Sequence, residues 1–233
     1  MPNPDHLVKF GIGDIYHTFT PGVNQFQFSQ TGNSALDTTF GAQKHYAHEV
    51  AAYLEDDWTV NDKLKGNGGI HYSTFFVGDK QYSSLQPRLS FRYLIDQKSS
   101  FKMGYSKMGQ FLHLLTNSGI GLPTDLWVPA TEKIKPQFSD QIAAGYARTF
   151  NDKFEVSLEG YYKTMDNLIE YKDGASFFDN ETDWQDKVHV GRGWSYGGEL
   201  LVEKKIGKTT GWIGYTLSWT NRQFDSINFG QSY

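Results

Sequence analysis

The chain has 233 residues, a net charge of −4 at pH 7, no cysteine, 16% aromatic residues, 24 glycines and only 7 prolines. Without cysteine there is neither a disulfide framework nor a thiolate metal site, and the mild acidity gives no basic footprint for nucleic acid. Mean hydropathy is −0.54 and no apolar run approaches the ~20 residues of a membrane helix, which leaves open a β-barrel, since a barrel puts only alternate residues in lipid.

Period-two alternation predicts about nine strands, at 6–19, 43–60, 64–77, 84–95, 99–109, 137–150, 154–172, 190–205 and 210–223. Most exceed the ~5–6 residues of an ordinary globular strand and reach the ~9–11 that cross a bilayer at a tilt. Tight turns join them at Asn61-Asp62-Lys63, Asp96-Gln97-Lys98, Asn151-Asp152-Lys153 and around Ile206-Gly207-Lys208. The remaining connections, 21–42, 78–83, 110–136 and 173–189, are longer. Such alternation of short and long connections segregates the long loops to one end, as in outer-membrane barrels with tight periplasmic turns and extended external loops. The expected fold is therefore all-β: an antiparallel up-and-down meander forming part of a large transmembrane β-barrel.

The turns also set registers. Val60 falls opposite Leu64, Leu54 opposite Ile70, Tyr93 opposite Phe101, Arg92 opposite Lys102, Phe150 opposite Phe154 and Tyr146 opposite Leu158. One face is then apolar, for instance Phe154, Val156, Leu158 and Tyr162. The other carries Glu55, Asp57, Arg88, Arg92, Lys102, Glu155 and Glu199, the candidate lumen-facing or plug-facing residues. So many charges cannot line a dry core without specific pairing, and the like-charged Arg92–Lys102 pair is tolerable only where water reaches. Asp14 and Asp56 are exceptions on the apolar parity. Alternation alone does not say which face is outside, because a lipocalin-like soluble barrel turns its apolar face inward. Strand number, loop asymmetry and two groups of aromatics favour lipid outside. Those groups are Trp58, Tyr93, Phe101, Phe150 and Phe154 by the short turns, and Tyr46, Phe76, Tyr196 and Trp219 toward the loops.

Four segments carry a family resemblance. YLEDDWTVNDKLKGNGGIHYS (53–73) resembles a "Q-D-D-W … D-K-L … G-x-R-Y" hairpin, with Glu55 where Gln is common and His71 where Arg is common. LPTDLWVPATEKIKPQ (122–137), running into QIAAGYARTF, resembles a loop-to-strand element ending in a "K-P-E/Q" step. GWSYGGELLVEKKIG and GWIGYTLSWTNRQF resemble a late barrel hairpin. Together, in this order, they resemble the barrel of TonB-dependent receptors of the Bacteroidetes type over most of residues 43–230. The resemblance implies an active importer: a ligand such as an iron chelate, cobalamin or a glycan binds outside, and the TonB complex pulls on an N-terminal plug within a barrel of about 22 strands. Residues 1–233 would then be a partial barrel, with signal peptide, plug and TonB box before Met1 and the final strands after Tyr233, which is expected to stand in an external loop rather than in a strand. The implied partners are outer-membrane lipid, the TonB complex and an extracellular small-molecule or glycan ligand.

The loop aromatics Phe111, Trp127, Phe177, Phe178 and Trp184 are candidate ligand contacts, because external loops carry function on a rigid scaffold. His45, His48 and Glu49 suggest metal only superficially, since on a strand the two histidines point to opposite faces. His17 and His45 share the lumen parity and read as polar lining. No Ser/His/Asp spacing or phosphate loop supports an enzyme, and no cofactor is expected. The rival readings are a passive porin-type barrel, a soluble β-barrel binding module and an outer-membrane hydrolase.

Overall fold

A computed structural model describes residues 3–20, 24–30, 33–40, 44–115, 126–172, 175 and 183–233, with side chains of 24–30 and 33–40 outside the description. The strands in chain order are β1 (His6–Phe19), β2 (Asn24–Gln30), β3 (Asn33–Phe40), β4 (His45–Thr59), β5 (Leu64–Val77), β6 (Lys80–Leu94), β7 (Ser99–Gln110), β8 (Leu112–Leu115), β9 (Leu126–Pro129), β10 (Gln137–Phe150), β11 (Phe154–Tyr171), β12 (Val188–Lys204) and β13 (Gly211–Gln223). Nine of them form one antiparallel sheet in the order β1-β4-β5-β6-β7-β10-β11-β12-β13. β2–β3 and β8–β9 are separate hairpins.

Each register set by the tight turns is realised: Leu54 opposite Ile70, Tyr93 opposite Phe101 and Arg92 opposite Lys102, Phe150 opposite Phe154 and Tyr146 opposite Leu158. The backbone N of Val60 donates to the Leu64 carbonyl at 3.0 Å. Asn151 and Asp152 have φ of 48° and 54°, the left-handed geometry that a tight hairpin needs and that Asn and Asp tolerate. Backbone hydrogen bonds tie neighbouring strands together at these turns: Leu94 N to Lys63 O, Thr149 N to Lys98 O and Lys205 N to Lys153 O. The Lys98 ammonium reaches Asp152 at 2.8 Å. The short turns therefore share one rim, and the long connections leave from the other.

Two expectations are corrected. The connection 78–83 is only the pair Gly78-Asp79, because Val77 already pairs with Lys80. Gly78 supplies φ of +54°, and Tyr82 packs beside Phe75 and Val77, so the polar run 80–83 is strand. The rule that every second connection is long thus fails at this hairpin. The connections 21–42 and 110–136 contain hairpins of their own. Tyr233 stands outside the strands and exchanges two backbone hydrogen bonds (3.0 and 3.1 Å) with Arg222 of β13.

The apolar face lies bare. Ile12 is 90% exposed, Ile213 76% and Leu158 59%, a continuous apolar surface far beyond what water tolerates on a soluble monomer. Tyr162, Tyr196 and Trp219 stack across β11, β12 and β13 with centroids 6.5 and 5.4 Å apart, and the Trp58 indole lies over Gly66 and Gly68, where a Cβ at Gly66 would collide with it. The two charged exceptions have partners: His6 Nδ1 is 2.6 Å from Asp56 near the short turns, and His48 Nδ1 is 3.6 Å from Asp14 toward the loops. Lys107, Asp140 and Arg148 also fall on this parity. Asp140 accepts from the Tyr105 hydroxyl at 2.5 Å, and Arg148 covers the Phe150 ring at 5.5 Å.

Candidate functional site

Two regions hold the polar chemistry. The first is the charged face. All seven charged residues singled out in the sequence, Glu55, Asp57, Arg88, Arg92, Lys102, Glu155 and Glu199, share it by register. At its β1 side, Lys9 Nζ reaches Asp57 at 2.5 Å and Glu55 at 3.4 Å, and Asn67 Nδ2 donates to both carboxylates at 2.6 and 2.9 Å. Farther along, a single rung crosses the sheet: Lys65 opposite Arg92, Arg92 opposite Lys102, Lys102 opposite Gly145, Gly145 opposite Glu159 and Glu159 opposite Glu199. Three cations stand side by side and two carboxylates follow, the sign reversing at Gly145. Like charges placed directly opposite each other destabilise a ladder. A hollow lies over this rung, lined by Asp57, Lys65, Asn67, Arg92, Lys102 and Glu159 around small residues at Ser90, Gly104, Ala143 and Gly145.

The second region is the loop-side mouth. There, the parity that carries charge lower down becomes apolar at Ala47, Phe75 and Val77, and the chain after β7 folds back onto it. Phe111 stacks on Phe75 with centroids 4.9 Å apart and planes 3° apart, and Ala130 completes the cluster. A second cluster joins Leu115, Val128 and Ile134 to Ile169, Trp184 and Val188. Polar bonds fasten the segment after β9: the Tyr82 hydroxyl donates to the Thr131 carbonyl at 2.7 Å, Thr131 Oγ1 bonds Gln185, and Lys133 Nζ meets Asp186 at 2.7 Å. Hydrogen bonding to that carboxylate raises the Lys133 pKa.

Of the loop aromatics, Phe111 is 2% and Trp184 9% exposed. Both are packing residues of the mouth rather than free contacts, because the loops fold inward over the wall. Trp127 on β9 is 54% exposed. Phe177 and Phe178 lie outside the described residues. His17 and His45 are on the charged face; His17 Nε2 lies 3.3 Å from Glu49. Among the described residues no three metal-ligating groups come together.

Sequence reasoning missed His113 on β8. It is fully buried; Gln137 Nε2 lies 3.0 Å from its Nδ1, and Nε2 has no hydrogen-bond partner among the described residues. Burial pushes its pKa down to about 4, against a smaller opposing pull from the Lys135 backbone. A base whose folded pKa lies below its unfolded value takes up its proton in the unfolded chain first. Stability is therefore complete above pH 6.5 and declines as pH falls toward 4, by roughly 3 kcal/mol over the whole step. Unfolding of the mouth followed by hydrogen exchange at several pH values should show this slope, and His113→Gln should flatten it. An unchanged slope in His113→Gln would assign the acid sensitivity elsewhere.

The family model described as "TonB dependent receptor-like, beta-barrel" matches residues 3–233. The chain belongs to this family. The chain is thereby part of an outer-membrane β-barrel, in a family of receptors, not enzymes. Among solved structures, the FrpB iron transporter from Neisseria meningitidis (F3-3 variant) superposes with a TM-score of 0.67 at 12% identity, over 99% of this chain and 35% of that one. The copper transporter OprC gives 0.63 at 13% identity, over 96% and 35%. The closed form of the ferric-catecholate import receptor Fiu from E. coli K12 gives 0.59 at 14% identity, over 97% and 37%. The chain thus spans about a third of the length of these transporters. At such identities the likeness is one of fold. No curated protein sequence matches the chain significantly.

Proposed function

We propose that this chain is wall and mouth of an active outer-membrane importer that captures a ligand outside and passes it inward with energy from TonB. The observation that carries the reading is the inward-folded mouth: Phe111 and Ala130, which flank β8–β9, pack on Ala47, Phe75 and Val77 of β4 and β5, and Leu115 and Val128 of the hairpin pack with Ile169 and Val188 of β11 and β12, a built layer suited to recognition. The wall below is charged and wet, suited to face a plug through which TonB acts. The ligand classes considered are iron chelates, cobalamin and glycans. The structural neighbours named for iron, ferric-catecholate and copper transport support a metal or its chelate. Uptake of a labelled ferric chelate by cells carrying the intact receptor should cease when TonB is deleted. Uptake that persists would mark a passive porin.

Trp127 and Phe177 remain the candidates for direct ligand contact, while Phe111 and Trp184, buried in the packing of the mouth, would act only by holding it in place. Trp127→Ala should weaken ligand binding to the intact receptor by about tenfold, the loss of one well-used aromatic contact, with barrel assembly unchanged. Unaltered affinity by titration would remove Trp127 from the site.

A further inference from the structure

At the rim of the short turns, the apolar parity of β10, β11 and β12 carries two cations and no acid. Phe150 and Phe154 close the turn 151–153 and stand opposite each other, and Lys204 stands opposite Phe154 on β12. Arg148 is two residues up β10 from Phe150. Its guanidinium carbon lies 5.5 Å from the centre of the Phe150 ring, and Lys204 Nζ lies 5.9 Å from that of Phe154. The turn after β12 leaves room for this ammonium, since a Cβ at Gly207 would come 3.6 Å from it. Among the described residues neither cation has a carboxylate within salt-bridge distance, whereas Lys98 and Lys205 at the same rim are paired with Asp152 and Glu155. Asp96 in the turn before β7 accepts from the backbone N of Lys98 at 2.7 Å, and Arg148 acts on it only at longer range. The rings hold the two cations in place but do not neutralise them. Away from the turn the same parity continues as Val156, Leu158, Leu200 and Val202, with no charge. Long cationic side chains in such a place lay their stems on the apolar surface and keep their heads at the level of the lipid headgroups.

We propose that Arg148 and Lys204, with the Phe150–Phe154 pair between them, bind an anionic phospholipid of the leaflet that meets the short turns. The site goes beyond the importer reading and rests only on the apolar face meeting lipid. The two cations have separate parts. Arg148 takes the phosphate, because the guanidinium offers parallel N–H donors that match two phosphate oxygens. Lys204 selects the rest of the headgroup. It stands on a strand about 10 Å from that of Arg148 at the usual spacing, so a lipid whose phosphate sits on Arg148 extends its headgroup toward a second positive charge. An ethanolamine ammonium is repelled there and a glycerol hydroxyl is not. A lipid fits better than free phosphate, because the surface between and beyond the cations is phenyl ring and aliphatic side chain, which acyl chains cover.

The test is native mass spectrometry of the purified, delipidated intact receptor titrated with phosphatidylglycerol or with phosphatidylethanolamine. Heat-modifiable migration on gels verifies that each variant is a folded barrel. The wild type should retain phosphatidylglycerol about tenfold better than phosphatidylethanolamine, the discrimination expected of one unit charge about 10 Å away at an interface. Lys204→Gln should remove most of that preference. Arg148→Gln should weaken retention of both lipids, since both carry the phosphate. Lys107→Gln, on the same parity at the loop-side end, should leave the preference as it is. A wild type that retains the two lipids alike overturns the proposal. So does a loss of preference in Lys107→Gln as large as in Lys204→Gln, which would assign it to the overall charge of the barrel. Either failure leaves the importer reading to its own test by TonB-dependent uptake.

Discussion

Leu158→Arg is expected to destabilise the intact receptor by roughly 2–4 kcal/mol, the cost of a guanidinium on the lipid face near the bilayer midplane. Leu158 lies between Tyr146 and Leu200 on the apolar face and is 59% exposed in the isolated sheet, so the side chain that replaces it meets hydrocarbon rather than protein. Ser157→Arg is one residue away on the same strand and should cost far less, because Ser157 shares the charged face with Glu155 and Glu159 and its substituent meets water. The amount of assembled receptor in the outer membrane, compared for the two variants, reads the difference. Equal losses would mean that the two faces are wrongly assigned.

Phe75→Ala should cost about 3–5 kcal/mol, the usual loss for removing a fully buried phenyl ring. Phe75 is 0% exposed and joins β5 to the loop through its stack on Phe111. The penalty should fall first on the mouth, where the ring packs against Phe111 and Ala130 of the folded-back segment. Denaturant unfolding should reveal a destabilised early phase, and protease should cut the β8–β9 segment sooner than in the wild type. Phe111→Ala should reproduce much of the effect, and the double variant should add less than the sum, because the rings are each other's neighbours. A Phe75→Ala receptor with wild-type protease resistance would show that the hairpin is held by its polar bonds alone.

The membrane part of the fold was legible because two independent signals agree there. The turns at 61–63, 96–98 and 151–153 fix the register, and the register places apolar beside apolar. Beyond the bilayer the second signal fades. Gln81 and Ser83 need not be apolar above the lipid, so the start of β6 read as loop although it pairs to Val77. The four-residue strands β8 and β9 are too short for periodicity to declare, and no local pattern says that a loop folds inward. Phe111 and Trp184 therefore read as free aromatics when they are the packing of the mouth. His113 gave no signal, since burial and not sequence spacing lowers its pKa. The charged face was legible residue by residue, yet the run Lys65–Arg92–Lys102–Gly145–Glu159–Glu199 was not. Its step from Lys102 to Gly145 crosses the long connection 110–136, where no turn fixes the register.

The central claim is that the charged face lines a watery lumen and the apolar face meets lipid. The chain itself has no cysteine, so once any cysteine elsewhere in the intact receptor is replaced, single cysteines placed one at a time from Phe154 to Tyr162 can be scanned by spin label. The account predicts alternation: labels at 155, 157, 159 and 161 respond to a water-soluble paramagnetic reagent, and those at 154, 156, 158, 160 and 162 to oxygen dissolved in the bilayer. The opposite phase, or no alternation along the strand, would contradict it.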